Sequence, residues 1–257
     1  MEILIKHTNG VCELRLNRPG VFNSFNKEMA MQLQEALDAC DLDETVRAIV
    51  ITGEGKAFCA GQDLAEAMDP EGPELQTIVR DHYNPIIERI RTIEKPIIAA
   101  VNGVAAGAGA NIALACDITI AKKSASFIQA FSKIGLIPDS GGTYFLPRII
   151  GMQKAMALMM TGDKVSADQA VELNMIYKSV EDDDFENEVK HFAETIAKMP
   201  TRGLGLTKKA INASFSNTLT EQLALEETLQ TEAGATYDFR EGVNAFLEKR
   251  KPEFKGH

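Results

Sequence analysis

The chain offers no cysteine framework, no excess of positive charge and no convincing membrane span, and its opening residues are not expected to be a leader. Its four cysteines, Cys12, Cys40, Cys59 and Cys116, are scattered, with no C-x-x-C pair and no histidine spacing suited to zinc. They read as reduced, mostly buried thiols of a cytoplasmic protein without a metal site. Lysine and arginine number 27 against 37 aspartates and glutamates, a formal net charge of −10. That balance excludes nucleic acid or an acidic membrane as the main partner. An anionic small ligand stays compatible with it, because local positive potential needs no basic protein. The opening MEILIKHTNG carries charge where a secretory leader would need an apolar run. Pro96–Cys116 is uncharged throughout, yet Ala and Gly dominate it and it holds two Asn, so it reads as buried in protein rather than in lipid.

What is present is an ordinary globular composition, 45% hydrophobic and 25% charged over 257 residues, ample for a large core. The chain is organised around Pro96–Asp117, PIIAAVNGVAAGAGANIALACD. A β-branched strand behind a proline turns at Asn102-Gly103 and passes Gly107-Ala108-Gly109 into an apolar helix. A helix starting there aims unpaired N–H groups and the positive end of its dipole at whatever sits above the turn.

Around this centre, residues 2–7 and 11–17 read as strands joined by the Asn9-Gly10 hairpin signal. Asn26–Asp43 reads as an amphipathic helix and Ala48–Thr52 as a buried strand. Ala57–Asp63 reads as a turn, Pro73–Glu94 as one long helix, and Ile118–Ala121 and Ser126–Gln129 as further strands. Alternation of strand and helix up to about residue 180 predicts an α/β architecture with a largely parallel sheet system. Beyond residue 184 the pattern is helical, with breaks expected at Ser214–Asn217 and Tyr237-Asp238. His82 and His191 fall in charged helical segments and are expected to be solvated.

Three glycine-containing turns enter helices, at Gly61, at Gly107/Gly109 and at Gly141/Gly142. One such turn is ordinary turn chemistry; three suggest backbone donors gathered at one pocket. The central turn is not a dinucleotide fingerprint, because Ile112 stands where the third glycine belongs and no acidic residue follows about twenty positions on. Asp139-Ser140-Gly141-Gly142 copies a serine-protease nucleophile signature, but none of the four histidines sits in a turn with suitable neighbours. Asp139 itself has two readings. An Asp just ahead of a helix is a favoured cap, worth about 1 kcal/mol; a carboxyl among apolar neighbours is also a proton carrier with a raised pKa.

The segments Asn17-Arg18-Pro19, Ala57–Leu64 (AFCAGQDL), Ala100–Gly107 (AVNGVAAG), Ile137–Thr143 (IPDSGGT) and Glu241-Gly242 with Ala245–Arg250 (AFLEKR) resemble the crotonase, or enoyl-CoA hydratase/isomerase, superfamily from end to end. The resemblance implies a crotonase fold: a spiral of ββα units over residues 1–200, with a helical C-terminal region, 201–257, that packs homotrimers or dimers of trimers. It implies an acyl-CoA thioester as substrate, with coenzyme A part of that substrate and no separate cofactor. By the same resemblance, the thioester oxygen is held by the N–H groups of Gln62 and Ala108, the latter where many members have glycine. Asn23, Ala60, Gly61, Asp63, Leu64 and Gly107 fall where relatives line the CoA channel, Phe131 where one would wall the acyl pocket, and Lys249 and Lys255 near the segment that meets the nucleotide end of CoA.

The two hydratase glutamates correspond here to Asn111 and Phe131, neither of which exchanges protons near neutral pH. Asn111 is left to orient substrate or water, or simply to pack. Asp139 remains, and Phe131–Gly142 is similar to the phenylacetate-pathway subgroup that isomerises 1,2-epoxyphenylacetyl-CoA, in which an aspartate at this position is the acid/base. The expectation is an acyl-CoA isomerase that shifts a double bond or opens a ring epoxide. A hydratase of fatty-acid or aromatic-acid degradation, or a non-catalytic CoA-binding relative, are the alternatives.

Overall fold

A computed structural model describes residues 1–257. Its ten strands are β1 (Ile3–Thr8), β2 (Val11–Leu16), β3 (Ala48–Gly53), β4 (Ala57–Cys59), β5 (Ile97–Val101), β6 (Val104–Ala106), β7 (Ile118–Lys122), β8 (Ser126–Ile128), β9 (Lys164–Ser166) and β10 (Lys178–Val180). β1 and β2 pair antiparallel across Asn9-Gly10, both at positive φ (52° and 79°), as the Asn-Gly signal predicts.

From β3 onward the chain alternates between two sheets. The larger has the order β1-β2-β3-β5-β7-β10, the smaller β4-β6-β8-β9. Each of the pairs β3/β4, β5/β6 and β7/β8 lays one strand in each sheet before the chain turns into helix. The successive strands pair in parallel, β3 with β5 and β5 with β7 in the larger sheet, β4 with β6 and β6 with β8 in the smaller. This is the expected spiral of ββα units. Asn102 stitches two of its corners together: its Oδ1 accepts from Gly53 N (3.0 Å) and its Nδ2 donates to Gly55 O (3.0 Å).

Both faces of the larger sheet are covered, which explains why its strands are apolar at consecutive positions. Ile49 and Ile51 of β3 and Ile97 and Ala99 of β5 face the main core with the Lys27–Leu42 helix. Ala48, Val50, Ile98 and Ala100 face Phe185, Val189 and Ala193 of the Phe185–Ala197 helix. Beyond it run the helices Thr201–Ser214, Leu219–Gly234 and Tyr237–Glu248. Lys208 of the first is buried and donates to Asp117 (2.8 Å) and Ile90 O (2.6 Å), anchoring that helix to the core. No helix is long and apolar enough to cross a membrane.

The structure corrects several local readings. The strands β4, β6, β9 and β10, like β8, have three residues each, too few to show a period; of the five only β8 is anticipated as a strand. The final break falls at Ala235-Thr236 rather than Tyr237-Asp238. Thr236 caps the last helix, and Asp238 is buried, accepting from Lys255 N (2.6 Å) and Gly256 N (2.7 Å). The long helix runs from Leu75 to Thr92 but is π-helical over Ile78–Tyr83. There Gln34 Nε2 donates to the carbonyls of Asp81 (2.9 Å) and His82 (3.3 Å). His82 is therefore not solvated: packed against the Lys27–Leu42 helix, it is buried, its Nδ1 has no partner, and desolvation lowers its pKa.

Candidate active site

The first glycine turn follows β4. Gly61 (φ +95°) sits against the second turn, so that a Cβ placed on it would lie 3.1 Å from Ala106 O and 3.6 Å from Ala108 N. Phe25 grips this turn as a one-residue parallel bridge: Phe25 N donates to Gly61 O (2.7 Å) and Asp63 N donates to Phe25 O (2.8 Å). In such a bridge the residue between the two bonded positions turns its own N–H to the opposite side. Gln62 is that residue, and no acceptor in the protein takes its N–H.

The second turn follows β6. Gly107 adopts φ +54° and ψ −128°, a conformation that glycine supplies without strain. Ala108 then opens the Ala108–Ala115 helix with an ordinary negative φ, so an alanine serves here as well as a glycine. As the first helical residue, Ala108 has no intrahelical acceptor for its N–H. Two backbone donors on adjoining turns are thus left for a ligand, at the positive end of a helix. The Phe131 ring walls this corner, 3.8 Å from where a Cβ on Gly107 would sit.

The third turn carries Asp139. The helix it enters, Gly142–Ile150, is capped by Gly141 without a side-chain bond, so Asp139 is not its cap. Instead the Asp139 carbonyl accepts from Gly142 N (2.8 Å), and its carboxylate accepts one bond, from Ser140 Oγ (2.9 Å). Burial pushes the carboxyl above the ordinary range for aspartate, only partly offset by the Ser140 hydroxyl.

Asn111 joins the second and third turns. Fully buried, it donates from Nδ2 to Asp139 O (2.8 Å) and accepts at Oδ1 from Gln129 Nε2 (2.8 Å). Its amide also fills the space beside Gly142, where an added Cβ would meet Nδ2 at 2.3 Å. Of the two readings of Asn111, the geometry leaves the internal one. Asn111→Ala is expected to cost about 1–3 kcal/mol in urea unfolding, because buried partners on both sides lose their bonds.

The remaining expected residues divide. Ala60 and Leu64 are exposed beside the first turn. Asp63 caps the Leu64–Ala67 helix through Ala65 N (3.0 Å) and pairs with Arg18 (2.9 Å). Asn23 is fully buried; it accepts from Arg18 N (2.8 Å) and donates to Glu54 O (2.9 Å) and Ala57 O (2.8 Å). Lys255 contacts none of the three turns; its Nζ lies 4.3 Å from the Tyr237 ring centroid. Cys59, beside Gly61, has its thiol pushed up to about 12 by burial, which removes it as a nucleophile at neutral pH.

Two residues of this region carried no signal in the sequence. Tyr83 donates its hydroxyl to Gln62 Oε1 (2.9 Å), and Gln129 steadies Asn111. Only the folded chain brings them to the turns.

Comparison with known proteins gives the family. The family described as enoyl-CoA hydratase/isomerase matches residues 6–257. The 1,2-epoxyphenylacetyl-CoA isomerase of Escherichia coli is 50% identical, over 100% of this chain and 99% of its own length. The trans-2-decenoyl-[acyl-carrier-protein] isomerase of Streptococcus mutans is 37% identical, over 99% of this chain and 98% of its own. The crystal structure of an enoyl-CoA hydratase from Bacillus anthracis superposes with a TM-score of 0.93 at 34% identity, covering 100% of both chains. From the ββα spiral to the helical C-terminal region, this chain belongs to the enoyl-CoA hydratase/isomerase, or crotonase, family.

Proposed function

We propose that this protein isomerises acyl-CoA thioesters, with Asp139 as the single proton carrier. The thioester oxygen sits between the Gln62 and Ala108 N–H groups. Asp139 removes a proton from carbon, the electron pair moves through the thioester, and the oxygen becomes an enolate held by the two donors. The proton then returns two carbons along, which shifts the double bond with no net change in composition. On a ring-epoxide thioester the same groups would promote opening of the epoxide ring. The observation that carries the reading is the Asp139 carboxyl, uncapped and raised by burial, on a turn tied through Asn111 to the helix that opens at Ala108.

Hydration is the second reading, favoured by the likeness to the Bacillus anthracis hydratase. Adding water needs one group to activate it and another to handle the α-proton. Asn111 has its amide engaged within the protein and Phe131 has no proton to give. A substrate panel separates the readings. The expected result is conversion of a 3-enoyl-CoA or a ring-epoxide CoA, with hydration of crotonyl-CoA, followed by loss of the enoyl absorbance, at least about 10²-fold slower. Faster hydration than isomerisation would reverse the assignment. Ile211, Leu223, Phe246 and Leu247 of the C-terminal helices are exposed, in accord with assembly into trimers or dimers of trimers.

A further inference from the structure

The Gln62 N–H belongs to the same peptide unit as the Gly61 carbonyl. That unit follows a glycine at φ +95°, a residue free to let it rotate, so its orientation has to be imposed from outside. One hold is the bond from Phe25 N to Gly61 O (2.7 Å), which leaves the N–H pointing the other way. A second hold is the Gln62 side chain, whose Nε2 donates to Glu66 Oε2 (3.1 Å) and whose Oε1 accepts from the Tyr83 hydroxyl (2.9 Å).

Tyr83 touches both holds. Its ring packs on that of Phe25, with centroids 5.7 Å apart and planes at 55°, and its hydroxyl ends on Gln62. It is fully buried, and burial keeps the hydroxyl protonated and so a permanent donor. The π-helical turn over Ile78–Tyr83, held open by Gln34, delivers the ring to this place. π-turns inside helices recur at functional sites.

We infer that Tyr83 is a positioning residue, one that fixes the Gly61–Gln62 peptide so that its N–H meets the oxyanion. The inference rests on the proposed thioester chemistry for its catalytic consequence, and on the fold alone for the hold on the peptide. A donor aimed at charge that develops in the transition state acts on kcat rather than on ground-state binding.

The test is Tyr83→Phe, which keeps the ring on Phe25 and removes only the hydroxyl. It is measured in the full chain beside Gln62→Ala and the double variant. Expected is a fall in kcat of about tenfold with KM little changed, since misplacement by a fraction of an ångström is enough. The double variant should fall no further than the worse single one, because both changes cut the same link. In amide exchange followed by NMR, the Phe25 N–H should exchange about fivefold faster in Tyr83→Phe, as its bond to Gly61 O opens more often. A lower melting temperature with unchanged kcat per folded molecule would mean a structural role only and overturn the inference, as would unchanged exchange at Phe25. If the wild type turned over no acyl-CoA thioester, the proposed function would fall, while exchange at Phe25 would still decide whether Tyr83 holds the peptide.

Discussion

Asp139→Asn is expected to lower kcat on a 3-enoyl-CoA by about 10³-fold while leaving KM nearly unchanged, since it removes the proposed proton carrier. An amide keeps the size and the bond from Ser140 but has no proton to exchange near neutral pH. The wild-type kcat/KM should fall as pH is lowered through the Asp139 pKa, which lies above the ordinary aspartate range, and this limb should vanish in the variant. Stability should move the other way. A carboxyl whose folded pKa is raised contributes its stability below its unfolded pKa and loses it as pH rises through the folded one. Above its folded pKa the wild type thus holds a half-buried carboxylate at a cost, so in that range the Asn variant should unfold at an equal or higher urea concentration. Turnover at the wild-type rate in Asp139→Asn would sink the mechanism.

Ala108→Pro is expected to reduce kcat by about 10²–10³-fold, the usual cost of losing one oxyanion donor. The variant is informative because the fold should accept it. Ala108 is the first residue of its helix, a position where proline is favoured and where the missing N–H leaves no helical bond unmade. The melting temperature should therefore change little while the rate collapses. Ala108→Gly is the control: it keeps the N–H behind the same Gly107 turn and should keep most of the activity. Wild-type turnover in Ala108→Pro would show that the enolate oxygen is held elsewhere.

Much of this was legible before folding. The Asn9-Gly10 hairpin, the apolar β3, β5 and β7, and the helix opening at Ala108 all follow from residue chemistry acting over a few positions. The three glycine turns could be picked out but not brought together, because their convergence is a property of the spiral. So too with the roles of particular side chains. Asn23 and Asn111 stand among motif residues and looked available to a ligand, yet in the folded chain their amides are occupied by backbone and side-chain partners far along the sequence. His82 looked solvated because its neighbours are charged, but the helix face it occupies is the one covered by Gln34 and the Lys27–Leu42 helix.

The residues by themselves determined an α/β class of fold and three glycine turns that enter helices, because local rules decide where glycine relieves strain and where a helix must begin. The Gln62 and Ala108 donors, and Asp139 as the candidate proton carrier, came from the resemblance to the crotonases. Tertiary structure alone decided that Asp139 is not a cap, that Asn111 serves its turn, and that Tyr83 reaches Gln62. The reason is physical. Which of its possible partners a polar side chain takes depends on which of them folding brings within about 3 Å, and that distance is not written in any one stretch of chain.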